Sequence, residues 1–590
     1  MEEELRSFIE SKFRVPVVEG QDKVCSVEEA VRRHVRGGMA IHFGGTAGVL
    51  GYQLIREFWG KSPDFTLINQ GVTGSLLALI HGRLMRKAVT NFAGNGYPSP
   101  GPNPLVQKVY LSGEVEFENW TMRTIPQMLL AGAMGWGFIP TKSLLGSSME
   151  EENKESFMVM DDPFNPREKI GLMKALRPDV TFVHGIAADR CGNTIMTDPL
   201  GPDAFGAWAA RSGVIVSVEK VVPTEYIRRH SHLVRIPSYL VLAVCEVPYG
   251  AHPGGMICEG LPEYEAYFPD YDFIAETNEA SNNEETFSTW IQHWILSCKD
   301  HSDYLAKVGN ERLLYLKGKA HSDAWVAEIL SEIPGMDFER QPNSMERMVV
   351  AGAKVIAEKC IAEGYKTILA GIGFPNLSAW LAVYELKERE HDVDLMAEIG
   401  MYGFLPRPSD PFLFSYHDLP TCKIMTSTDT TLGFFVGGSS NRCMGVLGAA
   451  QVDKSGNVNT TKIPGRLYIT GSGGANDVAS TNRETVVVAN SGKRRLVERV
   501  PYITYPGRNV RTLVTDVGIF EKVGGRETFV LTAYIPAEAS QKEEEAVAEI
   551  KEKVGWELDV ASDLKRVEPP TKEEITMLRL FDPRGYFIGS

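Results

Sequence analysis

Long apolar runs are missing from this 590-residue chain, and the longest, such as YLVLAVCEV, are far too short to span a bilayer. Positive charge is also scarce. The formal net charge is −15, which argues against a surface that coats nucleic acid. The first residues, MEEELRSFIESKF, lack the basic and apolar regions of a secretory signal. We therefore expect a cytoplasmic protein that contacts neither membranes nor nucleic acid.

Cysteine pairs at metal-binding spacing are missing as well. The eight cysteines are scattered, with no CxxC pair and no CxxC…H pattern. Such a distribution is typical of reduced cytosolic thiols, and it predicts neither a zinc site nor a disulfide framework. We predict no metal ligands.

Short apolar segments that end near glycine are abundant, and amphipathic stretches separate them. This alternation predicts an α/β fold with mainly parallel sheets, since strands buried on both faces are continuously apolar. A chain of 590 residues is too long for one hydrophobic core. The segments predicted as strands in the first half are GMAIHFGG, DFTLINQG, DVTFVHGIA, GVIVSVEK and YLVLAV, and those in the second half are KTILAGIG, DLMAEIG and MGVLGAAQV.

A short motif occurs once in each half. AADRCGNT (187–194) and AQVDKSGNVNT (450–460) share the pattern Asp-basic-x-Gly-Asn, which is typical of a tight turn. Its recurrence predicts two similar three-layer α/β domains fused in tandem. We place an N-terminal extension at 1–24, a first domain at 25–335 with a helical tail at about 263–330, and a second domain at 343–590. The Pro- and Gly-containing linker lies near 331–343.

Two glycine-rich segments of the second half could approach a ligand. AGIGFPN (370–376) follows a predicted strand and opens a helix, where free N–H groups can hold an oxyanion or a phosphate. It does not match GxGxxG, and taken alone the segment favours a close-packed strand–helix corner. ITGSGGANDVA (469–479) has three glycines in four residues, so its backbone can approach a ligand closely, although a flexible loop would have the same composition.

A single carboxylate, Glu398, lies at the end of the predicted strand DLMAEIG (394–400). Carboxylates are rarely buried without a partner. Glu398 is therefore either a nucleophile or general base, or a strand-end residue paired with a lysine or arginine.

Four motifs in a fixed order carry a resemblance to a known family: AGIGFPN, MAEIG, GAAQVDKSGNVNTT and TGSGGANDVAS. Together with the C-terminal LFDPRGYFIGS, they resemble the β subunit of family I CoA-transferases, in the glutaconate CoA-transferase branch. The first half is similar to the α subunit through GGMAIHFGG, GWGFIPTKSLLGSS, FVHGIAADRCGN and VVPTEYIRRH. The resemblance implies an α-like domain and a β-like domain in one chain.

The resemblance also implies a mechanism. In this family the motif glutamate, here Glu398, attacks an acyl-CoA thioester and forms first an anhydride and then a glutamyl-CoA thioester. Backbone amides of the two glycine loops form the oxyanion and CoA site, at Gly371, Gly373, Phe374, Gly473, Gly474 and Ala475. The substrates are an acyl-CoA and a carboxylic acid. No organic cofactor or metal is implied, and a homodimer or homotetramer is expected.

The chain departs from the family pattern directly after the glutamate. Relatives carry Ser-Gly or Asn-Gly there, whereas this chain has Ile399 and Gly400. These two residues are the acyl-pocket candidates, and the larger apolar side chain favours a bulkier or less polar acid.

Two other functions remain possible for a chain with these motifs. One is hydrolysis on the same fold, either of an acyl-CoA or of a ring within the acyl group of a CoA thioester. The ring-opening branch uses a glutamate of the α half, where this chain has Met122 and Arg123, with Glu118 as the nearest carboxylate. The other is a non-catalytic ligand sensor, which the absence of a basic DNA-binding segment disfavours.

Overall fold

The computed structural model describes residues 1–13, 20–44, 47–538 and 540–589. The predicted N-terminal extension therefore lies partly outside the described residues, as do Gly45 of GGMAIHFGG and Ser590 of LFDPRGYFIGS. The described residues form two large sheets, one in each half of the chain.

The sheet of the first half has nine described strands, and most of its neighbours run parallel. Each of the five segments predicted as strands in this half forms one of them. The strands are Ala40–Phe43, Phe65–Ile68, Met85–Thr90, Glu116–Asn119, Val180–Asp189, Thr194–Ile195, Gly213–Val222, Val234–Ile236 and Val241–Glu246.

The sheet of the second half has ten described strands and mixes parallel neighbours at its centre with antiparallel neighbours near its edges. The three segments predicted here also form strands of this sheet. The strands are Thr367–Ala370, Asp394–Ala397, Met401–Phe404, Ile424–Met425, Cys443–Leu447, Glu484–Val488, Val510–Val514, Gly518–Glu521, Val530–Tyr534 and Asp559–Arg566.

Four smaller sheets carry the remaining described strands. Their strands are Gly71–Val72 with Phe92–Ala93; Phe138–Thr141, Phe157–Asp161 and Lys169–Lys174; Gln451–Asp453, Val458–Asn459 and Leu496–Val497; and Lys462–Ile463 with Leu467–Tyr468.

Helices follow many of the strands, and a helical segment separates the two sheets. The helices before the second sheet are Glu2–Phe13, Val27–His34, Gly48–Phe58, Leu77–His81, Pro104–Ser112, Thr124–Ala133, Ser148–Glu152, Asp203–Ala209, Thr224–Arg229, Tyr271–Ala280, Glu284–Ile291, His301–Val308, Asn310–Lys319 and Ala324–Glu332. The later helices are Ser344–Glu363, Phe374–Glu388, Thr428–Thr430, Ala475–Thr481, Glu543–Lys553 and Lys572–Phe581. No described helix is long and apolar enough to cross a membrane.

Both large sheets are buried on two faces. In the second sheet, Ile368 packs in a core cluster with helices Ser344–Glu363 and Phe374–Glu388, whereas its neighbour Leu369 packs in another with helix Ala475–Thr481. Successive strand residues point to opposite faces, so helices lie on each side of this sheet. In the first sheet, the neighbouring residues Val214 and Ile215 likewise belong to two different core clusters. The predicted pair of three-layer α/β domains is confirmed.

The repeated motif forms the same turn in both halves. Asp189 Oδ1 accepts hydrogen bonds from the N–H groups of Gly192 and Asn193, both at 2.9 Å, and Asn193 Nδ2 donates to Asp189 Oδ2 at 2.7 Å. In the second half, Asp453 Oδ1 accepts from Asn457 N at 3.0 Å and Asn457 Nδ2 donates to Asp453 Oδ2 at 3.1 Å. The predicted turn is therefore confirmed. The exact domain boundaries stay predictions.

Candidate active site

Two predicted site segments meet at one edge of the second sheet. Strands Thr367–Ala370 and Asp394–Ala397 are parallel neighbours, with Leu369 opposite Met396. Gly371 follows the first strand and Glu398 follows the second, so both lie at the carboxyl ends, where α/β sheets bind ligands. Of these two strands, Asp394–Ala397 is the one predicted to run into a glycine turn, and it is present as expected.

Within the described part of the chain, Glu398 has no partner of opposite charge. Among residues 1–13, 20–44, 47–538 and 540–589, none donates a hydrogen bond to its carboxylate or forms an ion pair with it. Its side chain is half-buried, and the surrounding protein raises its pKa to about 8, mainly by desolvation and to a lesser degree through the nearby charge of Asp477. The interpretation of Glu398 as a salt-bridged strand end is therefore wrong.

Gly474 lies directly against this carboxylate. A Cβ atom added to Gly474 would stand 1.8 Å from Glu398 Oε2 and 3.6 Å from Met122 Cβ. Only glycine can occupy this position while the carboxylate keeps its place. Because Met122 belongs to the first half and Gly474 to the second, both halves of the chain enclose Glu398.

The buried carboxylate of Asp477 holds the two halves together beside Glu398. Thr121 Oγ1 donates to Asp477 Oδ1 at 2.6 Å, Ser143 Oγ donates to the same oxygen at 2.7 Å, and the N–H of Arg123 donates to Oδ2 at 3.0 Å. Burial raises the pKa of Asp477 despite these bonds. Asp477 is not among the site residues predicted from the sequence, although it directly follows the recognised GSGGAN loop.

Three of the six residues predicted for the oxyanion and CoA site retain unbonded amide groups. Gly371 N–H donates to Val446 O at 2.8 Å, and Gly473 and Ala475 donate to Asn91 O and Ser472 O, both at 3.1 Å. By contrast, no described residue accepts a hydrogen bond from the N–H of Gly373, Phe374 or Gly474. Phe374 is the first residue of helix Phe374–Glu388, whose first-turn amides have no partner within the helix, and Gly373 is its N-cap. Fewer backbone N–H groups are therefore available to an oxyanion than the sequence predicts.

Ile399 borders a cavity of about 430 Å³ between the halves of the chain. Phe43, Met196 and Met256 of the first half face Phe412, Phe414 and Tyr416 of the second across it. Gly400, the other acyl-pocket candidate, is not among the lining residues. It forms the turn instead, because its φ is +122° and a Cβ there would lie 2.0 Å from Thr426 O.

The α-half region that would carry a hydrolase glutamate also reaches the site. Met122 N–H donates to Gly473 O at 3.0 Å, and Met122 O accepts from Gln70 Nε2 at 2.9 Å. Glu118, the nearest carboxylate in that stretch of sequence, is occupied elsewhere: it lies 2.6 Å from Lys87 Nζ and accepts from the Trp120 indole at 2.8 Å. The residue next to Gly474 at this place is therefore Met122, which cannot act as an acid or a base.

Metal ligands do not gather in the described part of the chain. No group of three or more His, Cys, Asp or Glu side chains there is arranged to hold an ion, and no disulfide joins the described cysteines.

The model of one protein family, coenzyme A transferase, matches residues 24–246 and 437–540. The chain belongs to this family. The first matched region contains the nine described strands of the first sheet, and the second contains five of the ten described strands of the second. The resemblance found in the motifs is confirmed.

Individual relatives match the two halves separately. One of the two subunits of glutaconate CoA-transferase from Acidaminococcus fermentans is 28% identical over 311 residues, which cover 50% of this chain and 94% of the relative. The other subunit of that enzyme is 27% identical over 253 residues, which cover 38% of this chain and 88% of the relative. The two subunits cover different halves, as a fused chain requires.

A solved structure matches this CoA-transferase along nearly its whole length. An acyl-CoA transferase from Escherichia coli O157:H7, crystallised as a thioester complex with CoA, superposes with a TM-score of 0.62 at 15% identity. The match covers 96% of this chain and 97% of that protein. At this identity the likeness establishes the shared fold alone.

Proposed function

We propose that this enzyme moves CoA from an acyl-CoA to a carboxylic acid in two half-reactions that use Glu398 as the nucleophile. The observation that carries the proposal is a poorly solvated, unpaired carboxylate at the carboxyl end of a parallel strand, enclosed by both halves of a CoA-transferase chain. An unpaired carboxylate in such a place has few other uses, because a structural carboxylate would have a partner.

In the first half-reaction, a Glu398 oxygen attacks the thioester carbonyl, the carbon–sulfur bond breaks, and CoA leaves as the thiolate. The thiolate then attacks the Glu398 carbonyl of the resulting anhydride, and the original acid departs as a carboxylate. In the second half-reaction a new carboxylate attacks the glutamyl-CoA thioester. The thiolate released then takes the new acyl group, and Glu398 returns to its starting form.

Charge that develops on the carbonyl oxygen during each attack needs preorganised donors. The unbonded N–H groups of Phe374 and Gly474 support this role. The amino end of helix Phe374–Glu388 adds a favourable partial positive charge there. CoA is a substrate in this scheme, and no organic cofactor takes part.

Trapping the glutamyl-CoA intermediate tests the proposal. We expect that incubation with acetyl-CoA, hexanoyl-CoA or benzoyl-CoA, without an acceptor acid, attaches CoA to Glu398, as detected by peptide mass spectrometry. Glu398→Gln should give no adduct. The proposal fails if no adduct forms with any of these donors and Glu398→Gln turns over CoA thioesters at the wild-type rate. Steady release of free CoA without an acceptor would favour hydrolysis instead.

A glycine pair provides a matched control for the geometry. Gly474→Ala should slow adduct formation by about a hundredfold or more, because the new methyl group displaces the Glu398 carboxylate and misplaced reacting groups cost about that much. Gly318→Ala introduces the same atoms in helix Asn310–Lys319, where an added Cβ meets nothing within 4 Å. It should leave the adduct rate unchanged. Equal rates in the two variants would contradict the proposed position of the carboxylate.

A further inference from the structure

The cavity beside Ile399 is lined mainly by apolar groups, with a smaller polar part. Its lining residues from the two halves include two methionines, three phenylalanines and a tyrosine. The Phe412 and Phe414 rings meet edge to face at 5.2 Å, and Phe412 also stacks on Tyr97 of the first half at 4.3 Å. This aromatic wall is therefore fixed in place by contacts that cross between the halves.

Several of the polar side chains that border the cavity are already bonded to the protein. Asn69 Nδ2 donates to Phe43 O at 3.1 Å, and Gln70 Nε2 donates to Met122 O at 2.9 Å. Thr197 Oγ1 donates to Ile257 O at 3.1 Å. Both ring nitrogens of His184 have partners, Ser217 Oγ at 2.9 Å and Glu219 Oε1 at 2.8 Å. These groups hold the wall, and their bonded atoms are not available to a ligand.

Positive charge is missing from this wall. No lysine or arginine is among the described residues that line the cavity, and the one acidic side chain there is Asp203. A substrate with a second carboxylate would therefore lose water around that charge without gaining a cationic partner.

The size of the cavity exceeds what a two-carbon acyl group needs. A volume of about 150 Å³ is enough to admit a benzene ring in an apolar protein cavity. The 430 Å³ beside Ile399 leaves room for a branched chain or a ring together with the reacting carboxylate. Glu398 itself is not among the lining residues, but the next residue, Ile399, is one of them. Gln70, which also lines the cavity, donates to the carbonyl of Met122, the residue that meets Gly474 beside Glu398.

We propose that this cavity holds the acyl group and selects bulky apolar monocarboxylic acids, such as branched or ring-containing acids, over dicarboxylic acids and acetate. Phe414 and Ile399 are the specificity-determining residues. The inference rests on the proposed CoA transfer through Glu398.

Two acids of nearly the same shape separate charge from size. In 5-methylhexanoate an isopropyl group stands where glutarate has its second carboxylate. With hexanoyl-CoA as donor, we expect kcat/KM for 5-methylhexanoate to exceed that for glutarate by about a hundredfold, because an unpaired charge is costly in an apolar site. It should exceed that for acetate by about tenfold or more, because each buried methylene contributes to binding.

Variants of Phe414 test the location of the acyl group. Phe414→Ala should lower kcat/KM for 5-methylhexanoate by about tenfold, whereas Phe414→Leu should restore most of it. Phe164→Ala is the matched control, because Phe164 is 98% exposed, and it should change nothing. Phe414→Arg should shift the preference toward glutarate by supplying a partner for the second carboxylate. The ratio of the two kcat/KM values is the readout, since it does not depend on the fraction of enzyme that folds.

The outcomes for the two proposals are distinct. If the CoA adduct forms on Glu398 but glutarate or acetate is used as well as 5-methylhexanoate, the specificity inference is overturned while CoA transfer stands. Unchanged ratios in Phe414→Ala and Phe414→Arg would overturn it as well. If no adduct forms and no acid accepts CoA, both proposals fall together.

Discussion

Glu398 lies in surroundings that favour its neutral form, although the proposed attack needs the ionised form. Burial raises its pKa to about 8, so only a minority of molecules carry the nucleophile at neutral pH. The small ionised fraction is offset by the reactivity of each ionised carboxylate. A more basic carboxylate is the stronger nucleophile, and in this site it needs little desolvation. The same burial has a cost for the stability of the fold.

The pH dependence of stability measures that cost. Below about pH 4.5 the Glu398 carboxyl is protonated in both the folded and the unfolded chain, and its ionisation does not affect folding. Between pH 4.5 and 8 the unfolded chain releases this proton and the folded chain retains it, so the wild type loses stability as the pH rises. Glu398→Gln cannot ionise. Its advantage in free energy of unfolding should therefore grow by roughly 3 kcal/mol across this window.

Denaturant unfolding at several pH values checks this expectation. Glu544→Gln, at an exposed position of helix Glu543–Lys553, is the matched control and should show no such trend. In the wild type, the rate of CoA adduct formation should rise up to about pH 8 as the carboxylate forms. A stability difference that is flat in pH would contradict the raised pKa of Glu398.

At the scale of elements, the loop and helix that carry Gly474 and Asp477 join the halves of the chain. Asp477→Asn replaces an acceptor oxygen by an NH₂ group and leaves at least one of its three donors without a partner. We expect it to lower the free energy of unfolding by about 2 kcal/mol. It also removes a charge that raises the pKa of Glu398, so the pH profile of adduct formation should shift to lower pH.

Asp559→Asn is the matched control for this substitution. Asp559 is 62% exposed and pairs with Arg526 at the surface, so its replacement should affect neither stability nor the pH profile appreciably. An Asp477→Asn enzyme with the wild-type pH profile would show that Asp477 does not act on Glu398.

The strands that lead to this site could be predicted because their information is local. A short apolar run that ends at glycine defines Thr367–Ala370 and Asp394–Ala397, and the order of the glycine motifs identified Glu398. Asp477 could not be recognised in this way, since its partners Thr121 and Ser143 lie more than 300 residues away in the sequence. One sequence pattern does indicate the cavity wall, because Phe412, Phe414 and Tyr416 alternate along the chain. The predictions made from the sequence did not draw on this pattern.

At the scale of the whole molecule, the two halves share their cores. Tyr468 of the second half is fully buried in the main core cluster of the first, where its hydroxyl donates to Asn119 Oδ1 at 2.6 Å. Tyr97 of the first half donates to Asp410 Oδ1 at 2.6 Å, and Leu144 N–H donates to Asn476 Oδ1 at 2.8 Å. Because of contacts of this kind, we expect the halves to stay associated without the covalent link between them. The expected homodimer or homotetramer stays a prediction.

Cutting that link tests this conclusion. Ile333, Pro334 and Gly335 are exposed between the last helix of the first half and the first helix of the second, so a protease site inserted after Gly335 should be cleaved in the native enzyme. We expect the two fragments to elute together on size exclusion at micromolar concentration and to form the CoA adduct at the rate of the uncut enzyme. Tyr468→Ala removes about 3–5 kcal/mol of burial from the contact between the halves. The cut Tyr468→Ala enzyme should therefore separate on dilution before the cut wild type does, whereas the uncut variant should lose stability but remain one particle. Separate elution of the cut wild-type fragments would mean that the linker, and not the shared core, holds Glu398 against Met122 and the first half.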